Sequence, residues 1–288
     1  MIPVLLNGTE EAAKIRASLT KTVEGFGSVV SVPTLGIILV GDNSASKVYV
    51  RNKLKAATEI GINTELTKLS DQITEDDLLS VVRLMDSSPH INGILVQLPL
   101  PRHINQNRII NAISPEKDVD GITATNLGLL MSNDPEAIVS CTPMGCLRLI
   151  KMHLGDNLTG LKAAIVGCST IVGKPMAALL LAERCTVTMC HVHTENIQKE
   201  CNTADILVVA TGVPNLVGRS WIKEGATVID VGINRNEEGS LCGDVKTTDV
   251  MDVVGAITPV PGGVGPMTVA CLMQNTVDAF IKQNLLGS

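Results

Sequence analysis

The sequence predicts an α/β protein of two domains built on mainly parallel sheets. Three observations carry that expectation. Apolar runs of strand length alternate with helix-length segments along the chain. A length of 288 residues suits one large or two ordinary domains. The pattern also restarts near residue 140, at Ser140-Cys141-Thr142-Pro143-Met144-Gly145, after a charged loop has closed the first series.

In the first half, Ala12, Ala13, Ile15, Leu19 and Val23 predict a helix over 10–26. Gly36-Ile37-Ile38-Leu39-Val40-Gly41 reads as a buried strand over 35–40. Ser46 to Ile60 follows as a helix that stops near Gly61, and Ile62 to Leu69 as a second strand. Thr74 is a good N-cap for a helix over Glu75 to Met85. The run Ile91 to Pro101 is a third strand, ended by its prolines. Ile104 to Ile113 is the next helix, and 115–121 is a charged loop.

In the second half, Met144 to Leu154 is a helix and Leu161 to Val166 a strand. Gly167 to Gly173 is a turn of small residues, and Pro175 to Glu183 a helix. Further strands are expected at Cys185 to Cys190, Ala204 to Ala210, Ala226 to Val231 and Gly255 to Thr258. Trp221 to Glu224 is a short helical turn, and Met267 to Leu286 one long amphipathic helix.

Composition narrows the function. The apolar fraction is 45%, but there are only two Phe, one Tyr and one Trp, so the core must be Val, Ile, Leu, Ala and Met. A net charge of −6 without a basic tract disfavours nucleic acid as a partner. No apolar run reaches the roughly 18 residues that span a bilayer, so no membrane is expected. The start, Met-Ile-Pro-Val-Leu-Leu-Asn, lacks the basic and long apolar regions of a signal peptide. The eight cysteines form no C-x-x-C pair and read as reduced thiols of a cytoplasmic protein. No metal site is expected from them.

Two stretches carry chemistry. Tyr49 and Lys53 are four apart and share one face of the helix after the first buried strand. A phenol and an amine there make a catalytic pair; they are also two ordinary residues of an amphipathic helix. The second stretch is Ala163 to Ala177, a strand, a turn and a helix start. Gly167 permits the tight turn, and Gly173 a close approach at the helix N-terminus, where free N–H groups favour an anion such as a pyrophosphate. A plain β–α turn explains the same residues. The next strand ends in His191-Val192-His193-Thr194, without the acidic residue that takes the ribose hydroxyl of NAD.

With both stretches read, the chain resembles the bifunctional methylenetetrahydrofolate dehydrogenase/methenyltetrahydrofolate cyclohydrolase family of the bacterial type. The motifs run in order: G-D-N-S-A-S-K-V-Y-V-R-N-K-L-K-A-A at 41–57, G-I-L-V-Q-L-P-L-P at 93–101 and P-E-K-D-V-D-G at 115–121. They continue with C-T-P-M-G at 141–145, G-C-S-T-I-V-G-K-P at 167–175 and P-V-P-G-G-V-G-P-M-T at 259–268. The resemblance implies an N-terminal folate-binding catalytic domain over 1–139. It implies a C-terminal Rossmann-like dinucleotide domain over 140–267, a helix over 268–288 packed back on the first domain, and an active-site cleft between the two. It implies hydride transfer from 5,10-methylenetetrahydrofolate to NADP, then addition of water to the methenyl cation, giving 10-formyltetrahydrofolate.

Residue by residue, Lys53 matches the catalytic lysine, Tyr49 the tyrosine that stacks on the folate, and Gln97 the glutamine that contacts the lysine. Asp120 matches the aspartate that holds the pterin, and Ser46 is a hydroxyl one turn before Tyr49. Pro261, Gly262 and Gly263 belong to the loop where folate and nicotinamide meet. Thr142, Gly145, Gly167, Cys168, Ser169, Ile171, Val172, Gly173, His191, Val192, Thr211, Gly212 and Ile233 match dinucleotide-binding positions. Cys168 and Val192 depart from the NADP pattern, which has arginine and serine there. NADP is therefore the default cofactor and NAD the alternative, with His191, His193 or Lys174 available to supply the missing charge. The resemblance further implies a homodimer in one-carbon metabolism and purine biosynthesis.

Other readings are a short-chain dehydrogenase, which shares Y-x-x-x-K but places its glycine loop first, and a non-catalytic nucleotide or folate sensor. A member with only one of the two activities is a further alternative.

Overall fold

The computed structural model describes residues 2–27, 31–236 and 238–284. The first series of elements is β1 (Val4–Leu5), α1 (Gly8–Gly25), β2 (Thr34–Val40), α2 (Ser44–Ile60), β3 (Asn63–Leu69), α3 (Glu75–Asp86), β4 (Gly93–Val96), α4 (Gln106–Ile110) and α5 (Ala124–Met131). The second is α6 (Cys141–Leu154), β5 (Lys162–Val166), α7 (Gly173–Ala182), β6 (Thr186–Cys190), α8 (Ile197–Cys201), β7 (Ile206–Val209) and β8 (Thr227–Asp230). It closes with β9 (Asn234–Arg235), β10 (Leu241–Cys242), α9 (Thr247–Val250), β11 (Ala256–Ile257) and α10 (Val264–Asn284).

The chain forms two compact α/β units. One holds Ala13–Cys141 together with the chain from Val269 onward; the other holds the chain up to Ala12 together with Thr142–Thr268. Residues up to 12 were expected in the first domain and instead belong to the second unit. The cause is β1, whose Val4 and Leu5 pair in parallel with Ala256 and Ile257 of β11.

The sheet of the first unit has the order β3-β2-β4, with both pairs parallel. All seven residues of β2 are buried, as expected of a central parallel strand covered on both faces. Ile38, Val40, Leu78, Val82, Ile94, Val96 and Ile109 form part of the core beside it. The helices begin where the sequence offers caps. Asn43 Oδ1 accepts the Ser46 N–H at 3.0 Å, and Thr74 Oγ1 accepts that of Asp77 at 3.1 Å. Gly61, at φ 88°, ends α2 in the left-handed conformation that glycine adopts without strain.

The sheet of the second unit has the order β1-β11-β8-β7-β5-β6, and every pair is parallel. From β5 the chain goes first to β6 on one side and then to β7 on the other. This reversal of strand order opens a crevice at the carboxyl ends of β5 and β7, where open α/β sheets bind ligands. Trp221, Leu207, Val209 and Val228 are among the buried residues of its core.

Several helices differ from expectation: α5, α8 and α9 were not expected, and the turn expected over Trp221 to Glu224 lies at Arg219–Trp221. The helix expected over 104–113 is helical only over Gln106–Ile110. The last helix starts at Val264, and residues 285 and 286 of the expected span lie outside the described residues. Its amphipathic character is confined to the second half: from Val264 to Phe280 only Asp278 is exposed, and Lys282 and Asn284 follow it. The polar stripe is short, Gln274, Asp278 and Lys282, while the small and polar Ala270, Asn275 and Thr276 are buried.

Candidate active site

Lys53 occupies a core position of α2. The buried face of that helix is Ser46, Val50, Lys53, Ala56, Ala57 and Ile60, so an amine stands where helical spacing calls for an apolar side chain. It is 8% exposed. Its Nζ donates to Gln97 Oε1 at 3.0 Å. Gln97 follows β4, with its own N–H bonded to the Ile38 carbonyl at 2.9 Å and its Nε2 donating to Leu98 O at 2.7 Å. The amide is thereby oriented, with its oxygen toward the amine.

Burial pulls the Lys53 pKa below the ordinary lysine value; the nearby charge of Asp120 acts in the opposite sense. Tyr49, half-buried one turn before Lys53, has its phenol pushed up by burial and stays protonated. Such a group can stack on a ring and donate one hydrogen bond.

Asp120 is half-buried in a loop that other groups hold. Its carbonyl accepts the Cys141 N–H at 3.3 Å. Asp118 is fully buried; its carboxylate accepts the N–H groups of Ile122 at 3.2 Å and Thr123 at 2.8 Å, and Asn126 Nδ2 at 2.9 Å. Asn275 Nδ2 donates to the carbonyls of Val119 at 2.9 Å and Val139 at 3.0 Å. Cys141 Sγ also donates to Val119 O, at 3.2 Å, and burial holds its thiol well above the usual range. Asp118, Asn126, Cys141 and Asn275 were not singled out from the sequence as parts of this site. The D-V-D-G spacing hinted at Asp118; nothing in the order of residues links Asn275 to Val119.

The remaining predicted positions lie in the other unit. Gly167, at φ 118°, ends β5, and a Cβ there would collide with the Ala210 carbonyl at the end of β7. A Cβ on Gly173 would collide with the Gly167 carbonyl. Between them Ser169 Oγ accepts the Val172 N–H at 3.1 Å, and Lys174 N–H reaches Ser169 O at 3.0 Å. Cys168, Ser169 and Ile171 are exposed on this loop. At the end of β6, His191, Val192 and His193 are exposed, Val192 at 93%. Thr211 and Gly212 follow β7, and Ile233 follows β8. Thr142 Oγ1 and Thr268 Oγ1 share a hydrogen bond of 3.1 Å, and a Cβ on Gly145 would press on Met267 at 2.8 Å. Gly262 O accepts the Thr9 N–H at 3.0 Å, and Gly263 leaves no room for a Cβ beside Pro259 and Thr258.

This geometry fits a dinucleotide. The glycine turn lies at the crevice between β5 and β7, and the loops after β5, β6, β7 and β8 surround that end of the sheet. Among the described residues no group of three or more His, Cys, Asp and Glu side chains is placed to hold a metal ion.

Two family models cover the chain. Residues 6–120 match the catalytic domain of tetrahydrofolate dehydrogenase/cyclohydrolase, and residues 140–284 match its NAD(P)-binding domain. The chain belongs to the tetrahydrofolate dehydrogenase/cyclohydrolase family. It is 48% identical over 284 residues to the bifunctional protein FolD of Brevibacillus brevis, covering 98% of this chain and 99% of that one. Among solved structures it is similar to the FolD methylenetetrahydrofolate dehydrogenase/cyclohydrolase of Campylobacter jejuni. The TM-score is 0.93 and the identity 42%, covering 96% and 98% of the two chains. It is also similar to the Trypanosoma brucei enzyme complexed with NADP and an inhibitor, with a TM-score of 0.93, 35% identity and 98% of each chain covered. The resemblance, the two-domain α/β class and the dinucleotide-binding second domain expected from the motifs all stand.

Proposed function

We propose that this chain interconverts 5,10-methylenetetrahydrofolate and 10-formyltetrahydrofolate through the 5,10-methenyl cation, in one site built on Lys53. The observation that carries the reading is a buried amine, held by an oriented amide, in a chain of this family. NADP, when bound, supplies the hydride acceptor for the first step. Gly167 and Gly173 let its backbone-lined crevice form; Cys168, Ser169, Ile171, Val172, His191, Val192, Thr211, Gly212 and Ile233 line the approach, with Thr142 and Gly145 in the supporting helix. NAD stays the alternative, because Cys168 and Val192 bring no charge to a 2′-phosphate.

Lys53 takes the proton of the attacking water in the second step. An ammonium cannot do this, and it would also repel the methenyl cation. Burial lowers its pKa and so acts toward the neutral amine that both needs call for. Gln97 holds the amine in place. Asp120 accepts hydrogen bonds from the pterin, Tyr49 stacks on it, and Ser46 and the Pro261-Gly262-Gly263 loop complete the folate contacts. The first domain is read as 13–139 with the last helix, and the second as 140–267 with the N-terminal strand.

Mixing the protein with methylenetetrahydrofolate and each nicotinamide cofactor should raise the methenyl absorbance and then release formyltetrahydrofolate. Binding of both ligands without turnover would favour the sensor reading instead. The acid limb of cyclohydrolase kcat should report Lys53. Asp120→Asn removes a charge that raises its pKa, so the limb should move to lower pH; an unmoved limb would assign it to another group.

No helix among the described residues is long and apolar enough to cross a membrane. We read the protein as a cytoplasmic homodimer that supplies formyl groups to purine biosynthesis and has no nucleic-acid or membrane partner. Light scattering in solution tests the dimer.

A further inference from the structure

At the carboxyl ends of β7 and β8, two buried carboxylates bind three segments together. Asp230 is 2% exposed and Asp244 0%. Asp244 Oδ2 accepts the Thr211 N–H at 2.6 Å, the Thr211 hydroxyl at 2.9 Å and the Gly212 N–H at 2.9 Å. Its Oδ1 accepts Asn234 Nδ2 at 2.8 Å. One side chain therefore ties the segment after β7 to the segment after β8.

Asp230 holds Asp244 in turn. Its Oδ1 accepts the N–H groups of Gly232 at 3.0 Å and Asp244 at 2.9 Å, and its Oδ2 that of Val245 at 2.9 Å. The backbone adds Asn215 N–H to Gly243 O at 3.1 Å and Val217 N–H to Asp244 O at 3.0 Å. Glycine is required at both crossings. A Cβ on Gly232 would collide with the Asp244 carboxylate, and one on Gly243 with that of Asp230.

Four donors converge on Asp244, which suits an anion and no neutral side chain. Burying two carboxylates side by side is costly. What the arrangement secures is the placement of Thr211, Gly212 and Ile233, whose outer sides stay open. Gly212 is exposed with nothing within 4 Å of a Cβ, and Ile233 is 43% exposed.

We propose that Asp244, braced by Asp230, is a positioning residue for the nicotinamide dinucleotide: it sets the Thr211–Gly212 and Ile233 segments in the arrangement that binds NADP. This rests on the reading of Thr211, Gly212 and Ile233 as dinucleotide contacts. Asp244→Asn keeps the shape but replaces the anion by a neutral amide, whose N–H₂ group either faces Thr211 and Gly212 or requires Asn234 to turn its own amide over.

The test uses the full chain, with NADP affinity from calorimetry and dehydrogenase kinetics with NADP. Asp244→Asn should raise Kd and KM for NADP about tenfold or more, while kcat at saturating NADP changes less than about twofold. Pairing it with Asn234→Asp exchanges donor and acceptor: the oxygen of the introduced amide faces Thr211 and Gly212, and its N–H₂ group faces the introduced carboxylate. That double variant should bind within about threefold of the parent. Asp244→Asn binding NADP like the parent would overturn the proposal. So would a loss that the double variant does not recover, since donor–acceptor matching would then not be the cause.

If Asp244→Asn does not fold, Asn234→Ala decides. It removes only the Oδ1 bond and should weaken NADP about threefold; unchanged affinity would overturn the proposal. Ile233→Asp separates the two layers of the argument by placing a negative charge against an anionic ligand. If it leaves affinity intact, the dinucleotide contacts are misassigned; if it weakens binding while Asp244→Asn does not, only the positioning role fails.

Discussion

Lys53 and Cys168 mark two ways of building a site in one chain. Around Lys53 the chemistry comes from burial: an amine in the core of α2, an amide that orients it, and a carboxylate whose charge reaches it. Around Cys168 the site comes from backbone shape. Two glycines close the turn, and the side chains on its rim are exposed. A proton-transfer group needs a shifted pKa, and burial is what shifts it. A cradle for phosphates needs N–H groups and room, which glycine provides. On the function proposed above, the first kind of site should tolerate little change, and the second should be tunable through an exposed residue such as Cys168.

That contrast can be broken or sharpened by substitution. The largest effect is expected at Lys53. Lys53→Met, an apolar side chain at a core-facing position, should lower cyclohydrolase kcat about a thousandfold while the melting temperature holds or rises. Normal cyclohydrolase turnover in that variant would remove the base from Lys53.

Next is Asp230, where burial acts in the dinucleotide unit. Its carboxyl is pushed up to about 6, chiefly by desolvation. The native state then holds a proton that the unfolded chain has already released, so this group's contribution to stability falls as pH rises from about 4 to about 6. The size is about 3 kcal/mol, from roughly two pH units at 1.36 kcal/mol each. Asp230→Asn removes the titration, so the difference in unfolding free energy between variant and parent should change by that order across the window. Parallel curves would mean that the carboxyl titrates in its ordinary range.

Gln97→Ala should come third. It leaves the Lys53 amine without its acceptor and should cost cyclohydrolase about tenfold, with folate KM little changed. The smallest change is expected at the exposed rim. Cys168→Arg should shift the kcat/KM ratio toward NADP over NAD about fivefold, the scale of one solvent-exposed ion pair. A ratio that stays put would locate the phosphate contact elsewhere, with His191, His193 or Lys174 as the next candidates.

Much of this contrast was legible in the residues, unevenly so. The apolar runs Gly36–Val40 of β2 and Ile206–Val209 of β7 are continuous, and a parallel sheet buried on both faces leaves that pattern. The glycine turn showed itself because only glycine serves at its two crowded positions. Tyr49 and Lys53 showed a shared helix face, but the meeting of Lys53 with Gln97, 44 positions away, depends on how β4 lies beside β2. Asn275 and Asp244 were hidden for a related reason. Each satisfies backbone groups far off in the chain, and such partners leave no periodic mark. β1 was missed because two half-exposed residues give no period at all. The last helix is amphipathic over a shorter stretch than its residues suggest, because Asn275 and Thr276 inside a crowded interior resemble a polar face.

The pairing of β1 with β11 bears on how the protein is made. Val4 leaves the ribosome about 250 residues before its strand partner Ala256. The other unit also waits, because Asn275 bonds to Val119 and Val139. Neither unit is one continuous stretch of chain, so neither can be completed while the nascent chain is still short of its final helix. A ribosome-bound chain arrested near residue 250 should therefore be cut readily by protease in both halves, and a protected N-terminal half at that length would show that the first unit closes without its last helix.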